Sequence, residues 1–357
     1  MRYAVIMAGG AGKRLWPASR ENKPKQLIRL IDGKCLLELA VQRLEGLFPP
    51  ESVLVVTNVA YVDQVAQCCP SLRRENIIGE PEGRDTANAI ALAGELISAR
   101  EKDATMAVFT ADHIIRPVDQ FRLCVERACR AAEEDPQALV TFGIRPTWPH
   151  TGLGYVHCAK SFKEGVCRVL SFKEKPDHRT ARQYVESGEY FWNSGMFVWR
   201  VETIRKALKK LLPESAEKLR PVGPAVKSGQ DITDLLAKIY PTLPRISIDF
   251  AVMEKAAHVL LVELTCDWLD LGDWPALARV LEPDADGNTV VASRTAILDG
   301  SRNVIFSEDQ HLVAVVGMDE CIVVHTPDAT LVCNKSDSQR LKELVEQINR
   351  DFGRDYV

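Results

Sequence analysis

The sequence has no excess of charge of one sign, since its 45 lysines and arginines nearly balance its 49 aspartates and glutamates. Proteins that bind nucleic acid usually carry a surplus of cations, so we do not expect nucleic acid as a partner. Long apolar runs are also missing. The first run, residues 3–8, is too short for the core of a signal peptide, and none approaches the roughly 18 residues of a membrane-spanning helix. We therefore expect no membrane or secretory segment.

The ten cysteines lack the spacing of a metal or redox site. No two of them are spaced as C-x-x-C, which argues against zinc-binding and thioredoxin-like sites. Most lie in apolar segments, where cysteine behaves as a small hydrophobic residue. Because reduced thiols are typical of the cytosol, we expect a cytoplasmic protein whose cysteines are reduced.

The apolar pattern predicts an α/β protein of about two domains. A length of 357 residues suggests about two domains, and short apolar runs alternate with amphipathic ones over the first two thirds. This pattern predicts strands and helices in alternation and a mostly parallel sheet. The predicted strands are residues 3–8, 52–57, 105–110 and 138–143, and the predicted helices are residues 36–48, 85–100, 121–134, 179–187 and 201–212. Residues 192–199 are predicted as a turn and strand between the last two helices.

The composition changes after a turn-rich segment at residues 283–288, which we take as a linker. The predicted organisation is a catalytic domain over residues 1–282 and a β-rich C-terminal module over residues 288–357. Short β-branched runs predict strands in this module at residues 289–291, 303–306, 312–316, 321–325 and 330–333. A terminal helix follows, for which Ser336 and Gln339 form a candidate capping box.

A glycine-rich segment follows the first predicted strand directly. Glycines at the carboxyl end of a strand let backbone N–H groups approach a phosphate. A dinucleotide-binding fingerprint is incomplete, because Leu15 stands where its third glycine belongs. A P-loop is excluded because Arg14 follows Lys13 where serine or threonine is required.

A third interpretation is a long phosphate-binding loop over residues 9–25, which we call the N-terminal loop. It contains five cations: Lys13, Arg14, Arg20, Lys23 and Lys25. A run of charge is usually a solvated surface. Here prolines and glycines interrupt the run, which favours a shaped loop and suits a triphosphate.

The stretch MAGGAGKRLWPASRENKPKQL closely resembles the signature of sugar-nucleotide pyrophosphorylases, most of all that of mannose-1-phosphate guanylyltransferases. The positions at the family's spacing are Gly9, Gly10, Gly12, Arg14, Pro17, Pro24 and Lys25. The resemblance implies a catalytic set of Arg14, Lys25 and Asp112. It also implies nucleotide binding by Ala8, Gly9, Gly10, Gly12, Lys13, Arg14, Thr86 and Ala87.

Two carboxylates are candidate metal ligands. Asp112 follows a predicted strand in an Ala-Asp-His sequence that resembles the family's metal-binding segment, although a turn or helix-cap role is the simpler interpretation of such an aspartate alone. Asp270 is the first aspartate of WLDLGDW, which resembles the family motif that completes the metal site, and Asp273 is expected in a turn. The resemblance implies Mg²⁺ or another divalent cation, which prefers carboxylates together with phosphate oxygens.

Residues 83–90 run into a predicted helix, for which Asp85 or Thr86 is a natural N-cap. The positive end of that helix and its N–H groups would suit an anion or the edge of a base. In the family this segment lines the base pocket. Here Asp85 and Asn88 stand where common relatives carry asparagine and proline.

Four later residues match the family's sugar-recognition set: Gly154, Glu174, Asn193 and Asp249. A carboxylate and a carboxamide can each bind neighbouring hydroxyl groups, and the glycine would let a sugar lie against the backbone.

The resemblance covers nearly the whole chain and implies a Rossmann-like, GT-A-like nucleotidyltransferase with a mixed sheet flanked by helices, plus a small C-terminal β-helix-like module. It implies GTP and mannose 1-phosphate as substrates, and a short form without the isomerase domain of longer relatives. Two alternatives stay open: another NDP-sugar pyrophosphorylase, and a catalytically silent subunit that senses nucleotide sugar. We expect a homo-oligomer, with a dimer as its form.

Overall fold

The computed structural model describes residues 1–10 and 12–357, apart from the side chains of Ser161 and Phe162. It divides into two compact units. The first unit consists of Met1–Gly9, Val41–Thr110 and Ile115–Trp268, and the second of Gly10–Ala40, Ala111–Ile114 and Leu269–Val357. No helix among the described residues combines the length and the apolar character that crossing a membrane requires.

The α-helices and strands alternate over most of the chain. The helices are α1 (Leu36–Gln42), α2 (Val62–Cys68), α3 (Asp85–Arg100), α4 (Val118–Glu134), α5 (His178–Ser187), α6 (Val201–Leu211), α7 (Pro213–Leu219), α8 (Val222–Lys227), α9 (Thr233–Ile239), α10 (Trp274–Leu277) and α11 (Leu341–Phe352). The strands up to the C-terminal module are β1 (Arg2–Ala8), β2 (Arg29–Ile31), β3 (Lys34–Cys35), β4 (Val53–Asn58), β5 (Ile77–Glu80), β6 (Thr105–Thr110), β7 (His113–Arg116), β8 (Leu139–Ile144), β9 (Tyr155–Lys163), β10 (Val166–Lys173), β11 (Tyr190–Arg200), β12 (Val259–Leu264) and β13 (Asp267–Asp270). Those of the module are β14 (Thr289–Val291), β15 (Arg294–Leu298), β16 (Val304–Ser307), β17 (Leu312–Val316), β18 (Cys321–His325) and β19 (Thr330–Asn334).

The first unit is built on a mixed sheet with the strand order β5-β4-β1-β6-β11-β8-β12-β10-β9. Strands β5, β4, β1 and β6 are parallel, with Val5 of β1 level with Val108 of β6. Strand β11 runs antiparallel to both β6 and β8. The sheet is therefore less parallel than the alternating pattern predicts, and it matches the mixed sheet that the family resemblance implies.

Helix α3 and strand β6 have the predicted bounds, and each is buried along most of its length. The helix is buried on nearly all sides and packs with the sheet and with α6, which contributes Ile204 and Leu208 to the same core. Helix α1 is shorter than predicted. The chain tightens into i→i+3 turns after Gln42, as shown by the Leu44 N–H donating to the Val41 carbonyl.

Residues 192–199, predicted as a turn and strand, lie wholly within strand β11, so the strand is confirmed and the separate turn is wrong. Strand β11 has a break in register between Asn193 and Phe197, where Gly195 adopts a φ of 66°. Such a bulge changes the direction of nearby side chains without ending the strand.

The second unit contains the β-rich module. Parallel strands stack so that Thr289, Val304 and Ile322 are level across β14, β16 and β18, while β15 pairs in parallel with β17. Successive parallel turns of this kind are β-helix-like, as expected. The capping-box prediction is wrong: Ser336 lies in a 3₁₀ turn before α11, and its N–H is bound by the Asn334 side chain at 3.0 Å.

The cysteines are mostly as expected. Cys124, Cys129, Cys158 and Cys167 are buried thiols outside any disulfide. Cys35 of the second unit and Cys68 of the first are each disulfide-bonded, so the expectation of a fully reduced set is wrong at these two positions.

Candidate functional site

The N-terminal loop begins where β1 ends. Ala8 and Gly9 belong to the first unit, where the Thr57 hydroxyl donates to the Ala8 carbonyl at 2.9 Å and fixes the end of the strand. In the second unit, Gly10 and Gly12 have φ values of 96° and 69°, a conformation that glycine adopts readily. Glycine at these positions therefore follows from the path of the backbone.

The loop then forms a short 3₁₀ turn over Lys13–Leu15. Leu15 is buried in the core of the second unit, and its N–H donates to the Gly12 carbonyl at 2.8 Å. Lys13 is exposed on the same turn. The buried leucine thus holds the turn in place while the lysine reaches solvent, as a side chain that binds phosphate requires.

Three of the five loop cations form ion pairs with distant carboxylates, and these three fall into two groups. Arg20 contacts Asp328 at 2.8 Å and Lys23 contacts Glu308 at 2.7 Å, so both are engaged with the C-terminal module. Lys25 forms an ion pair with Asp112. The sequence does not distinguish these groups, because the partner carboxylates lie far along the chain.

Lys25, Asp112 and Asp270 come together in the second unit. The Leu271 N–H donates to the Asp112 carbonyl at 3.1 Å, which joins the two aspartate segments at the backbone. Gly12 packs against Lys25, since a Cβ at Gly12 would lie 2.6 Å from the Lys25 Cβ. A glycine here lets the lysine pass close to the loop backbone.

Charge and burial shift the pKa of each of these three groups. Burial raises the pKa of Asp270 to about 6, and the neighbouring Asp112 carboxylate adds to the rise. Burial acts against the charge of Asp112 as well, but the ammonium of Lys25 outweighs it and holds the pKa of Asp112 well below its usual range. For Lys25, burial is outweighed by Asp112 and Asp270, so its pKa lies above the ordinary value. The ionised Lys25–Asp112 pair is the stable state at neutral pH.

The same place offers a set of candidate metal ligands. One ligand atom from each of Asp112, His113 and Asp270 lies within 4.8 Å of the others. Two carboxylates and an imidazole suit a divalent cation. The resemblance pointed to the two aspartates, and the structure adds His113, which follows Asp112 directly and could have been suspected from that position alone.

The segment before α3 lies in the first unit and is fixed by its neighbours. The helix begins at Asp85 with Arg84 in the capping position, so the predicted cap at Asp85 or Thr86 is wrong. The Thr86 hydroxyl accepts the Ile248 N–H at 2.9 Å, and the Thr86 N–H donates to the Asp85 carboxylate at 2.8 Å. The Ala87 N–H is also engaged, by a backbone carbonyl at 3.2 Å.

The two departures from the family pattern have local reasons. Asp85 has a φ of 66°, a conformation that asparagine and aspartate tolerate better than most residues. The Asn88 amide donates to the carbonyls of Arg84 and Pro244 at 2.9 and 2.7 Å. A proline at this position could not make these bonds.

The four sugar-recognition candidates also lie in the first unit and are adjacent to one another. The Asn193 amide donates to the Asp249 carboxylate at 2.7 Å, and its backbone N–H donates to the Gly154 carbonyl at 2.9 Å. A Cβ at Gly154 would lie 3.0 Å from a Glu174 carboxylate oxygen. Glycine thus leaves the Glu174 carboxylate accessible, as recognition of a sugar hydroxyl requires.

Burial raises the pKa of Asp249, against the hydrogen bond from Asn193, and the nearby Glu174 carboxylate acts in the same direction as burial. The four residues come from loops, a strand and a π-helical turn (Asp249–Met253) that are distant in sequence, and hydrogen bonds rather than spacing bring them together.

Comparison with known proteins identifies the family. The chain matches the nucleotidyl transferase family over residues 3–287 and the MannoseP isomerase/GMP-like beta-helix domain over residues 293–348. It is 39% identical to a mannose-1-phosphate guanylyltransferase of Klebsiella pneumoniae, across 100% of this chain and 76% of that protein. It is 37% identical to a putative mannose-1-phosphate guanylyltransferase of Vibrio cholerae, with the same coverage of both.

A solved structure described as a mannose-1-phosphate geranyltransferase from Thermus thermophilus has a TM-score of 0.86 and 34% sequence identity, covering 98% of this chain and 99% of that one. The chain is a nucleotidyltransferase and belongs to the mannose-1-phosphate guanylyltransferase family.

Proposed function

We propose that this protein transfers GMP from GTP to mannose 1-phosphate, which yields GDP-mannose and pyrophosphate. The observation that carries the proposal is the Lys25–Asp112 ion pair beside Asp270. These three residues belong to the second unit, which also contains most of the N-terminal loop and of the family's signature. A phosphate oxygen of the sugar phosphate attacks the α-phosphorus of GTP and forms a P–O bond. The bond from the α-phosphorus to the oxygen bridging to the β-phosphate breaks, and pyrophosphate leaves.

The main obstacle to this reaction is repulsion between two anions, since the sugar phosphate is already ionised at neutral pH. Positioning and neutralisation of charge therefore do most of the work. We assign Lys25 to the attacking phosphate and the α-phosphate, and Lys13 and Arg14 to the departing pyrophosphate. The backbone around Gly10 and Gly12 supplies N–H donors for the phosphates.

Asp112 and Asp270 would hold Mg²⁺ or another divalent cation, with His113 as an additional ligand. The ligand atoms fit such an ion, because they already lie within 4.8 Å of one another. A bound cation would neutralise charge on the phosphates. Asp112 also pairs with the Lys25 ammonium, so this one carboxylate would hold both the divalent cation and the lysine.

We assign the sugar hydroxyls to Glu174, Asn193 and Asp249, with Gly154 leaving room for the ring. The hydrogen bond from Asn193 to Asp249 sets the direction of both side chains, so that their remaining polar atoms are available to vicinal hydroxyls. The guanine base is assigned to the segment at Thr86 and Ala87.

A substrate panel tests the proposal. Four nucleoside triphosphates are each combined with several sugar 1-phosphates, with Mg²⁺ present and then chelated, and pyrophosphate release is measured. We expect the highest kcat/KM for GTP with mannose 1-phosphate, and loss of activity on chelation. A higher value for another pair would favour another NDP-sugar pyrophosphorylase, and saturable GTP binding without turnover would favour a sensing subunit.

A further inference from the structure

The C-terminal module and the N-terminal loop belong to the same compact unit, although they lie at opposite ends of the sequence. Leu15 and Trp16 of the loop share one buried core with Phe306 and Leu341 of the module. The module has no catalytic group in the proposed reaction. Its contacts with the loop, however, fall on positions next to the cations assigned to phosphate.

The first contact is made by Trp16, which follows the turn that carries Lys13 and Arg14. Its indole N–H donates to the carbonyl of Tyr356 at 2.6 Å. Its own carbonyl accepts the indole N–H of Trp274 at 3.0 Å. Both rings are buried. The residue after the cationic turn is therefore held on one side by the end of the module and on the other by the segment that follows Asp270.

The second contact is made by Arg20, whose guanidinium donates to the Tyr356 carbonyl at 3.0 Å and to the Asp328 carboxylate at 2.8 Å. The same guanidinium lies over the Trp16 ring, 5.3 Å from its centroid. Its side chain is only 9% exposed. A cation so enclosed and so fully engaged holds the loop in place and does not serve as a phosphate ligand.

The third contact reaches the metal-site segment. The Gln339 amide of the module donates to the Asp273 carboxylate at 2.6 Å, and the same carboxylate caps α10 by accepting the Ala276 N–H at 3.0 Å. Asp273 lies three residues after Asp270. Gly272 lies between these two aspartates, and a Cβ added there would be 3.3 Å from the guanidinium of Arg14. The module thus fixes the turn against which Arg14 packs.

We propose that the C-terminal module is a positioning element for triphosphate binding, with Trp16 and Arg20 as positioning residues that act through Lys13 and Arg14. The inference rests on the proposed function for the identity of the nucleotide. The contacts predict a selective effect. Loosening them should weaken interactions with GTP, whereas the sugar-recognition group of the first unit should keep its affinity.

Three variants test the inference, each of which removes one contact: Trp16→Phe, which keeps the ring, Asp328→Ala and Gln339→Ala. The loss of one hydrogen bond corresponds to about a 2- to 10-fold change in an equilibrium constant. We expect KM for GTP and the Kd for GTP from equilibrium dialysis to rise by that factor. KM for mannose 1-phosphate and kcat at saturating GTP should stay at the wild-type values.

Arg302→Ala is the matched control, because Arg302 forms an exposed ion pair with Asp319 inside the module, away from the loop. Equal effects of the control and the three variants on GTP affinity would overturn the inference, as would equal increases in KM for both substrates. A wild-type protein that binds GTP without turning it over would contradict the proposed function. The dialysis measurement would then still decide the role of the module.

Discussion

Replacement of Gly12 by alanine should disable the Lys25–Asp112 pair without changing either charged group. Gly12 has a φ of 69°, and a Cβ there would lie 2.6 Å from the Cβ and 2.9 Å from the Cγ of Lys25. The Cβ is bonded directly to the Lys25 backbone and cannot rotate away as the end of the side chain could. The lysine therefore has to shift as a whole.

The size of the effect follows from two separate costs. A residue with a Cβ in the left-handed conformation costs about 1–2 kcal/mol, which lowers stability. The contact is also about 1 Å shorter than the optimum for two carbon atoms, so Lys25 must shift by about that distance. A displacement of about 1 Å in an active site can lower the rate by about 10²-fold. We expect kcat to fall by that order.

The assay is pyrophosphate release with GTP and mannose 1-phosphate, together with thermal unfolding. Gly33→Ala is the control, since Gly33 belongs to the same unit, has a φ of 72°, and a Cβ there would have no described neighbour within 4 Å. Both variants should lose similar stability, and only Gly12→Ala should lose turnover. Equal kcat values for the two variants would refute the reasoning, because the collision would then have no effect on Lys25.

Three further predictions test other groups. Asp112→Asn removes a charge at constant shape, so pyrophosphate release should fall by about 10²-fold or more, and turnover near that of the wild type would contradict the assigned role. Lys25→Ala should lower kcat, whereas Lys13→Ala should mainly raise KM for GTP, and small, equal effects in steady-state assays would argue against this division. Burial raises the pKa of Glu80 from 4.5 to about 7, against the opposing effect of the Tyr240 hydroxyl. The protonated form of Glu80 therefore stabilises the fold, and this contribution to the free energy of unfolding is fully present below the unfolded pKa. It amounts to about 3 kcal/mol and is lost as the pH rises through 7. Glu80→Gln should raise the melting temperature at about pH 9 and change it little at about pH 5, and an equal shift at both would count against the buried acid.

The sequence predicted best those elements whose burial is continuous. Helix α3 and strand β6 are almost wholly buried, so their apolar residues mark both ends. Strands β9 and β10 were missed because they carry solvent-facing charges such as Lys160 and Arg168. A strand with charged residues on a solvent-facing side lacks the continuous apolar run that marks a strand buried on both faces. The domain boundary at residues 283–288 and the dimer stay predictions.

The candidate site could be predicted only where the chemistry lies in one short segment. Nothing in the spacing of Asp112 and Asp270 indicates that they meet, and only the family resemblance paired them. In the fold, the pairing of β7 with β13 and a backbone hydrogen bond from the Leu271 N–H to the Asp112 carbonyl join their segments. The grouping of Asn193 with Asp249 likewise depends on the fold of the first unit. Resemblance supplied the residues, and the structure supplied the contacts that explain them.

The loop cations show why charge alone does not identify a ligand. Arg20 and Lys25 are five residues apart, each carries one positive charge, and both belong to the run of cations that suits a triphosphate. What separates them is the partner. Arg20 is engaged by Asp328 and the Tyr356 carbonyl, far along the chain, whereas Lys25 pairs with a carboxylate of the candidate metal site. The hydrogen bonds of Arg20 go to acceptors of the C-terminal module, so Arg20 positions the loop. Lys25 lies beside the candidate metal ligands, so it is suited to binding a reacting phosphate. The assignment of each cation therefore depends on residues that its own motif does not contain.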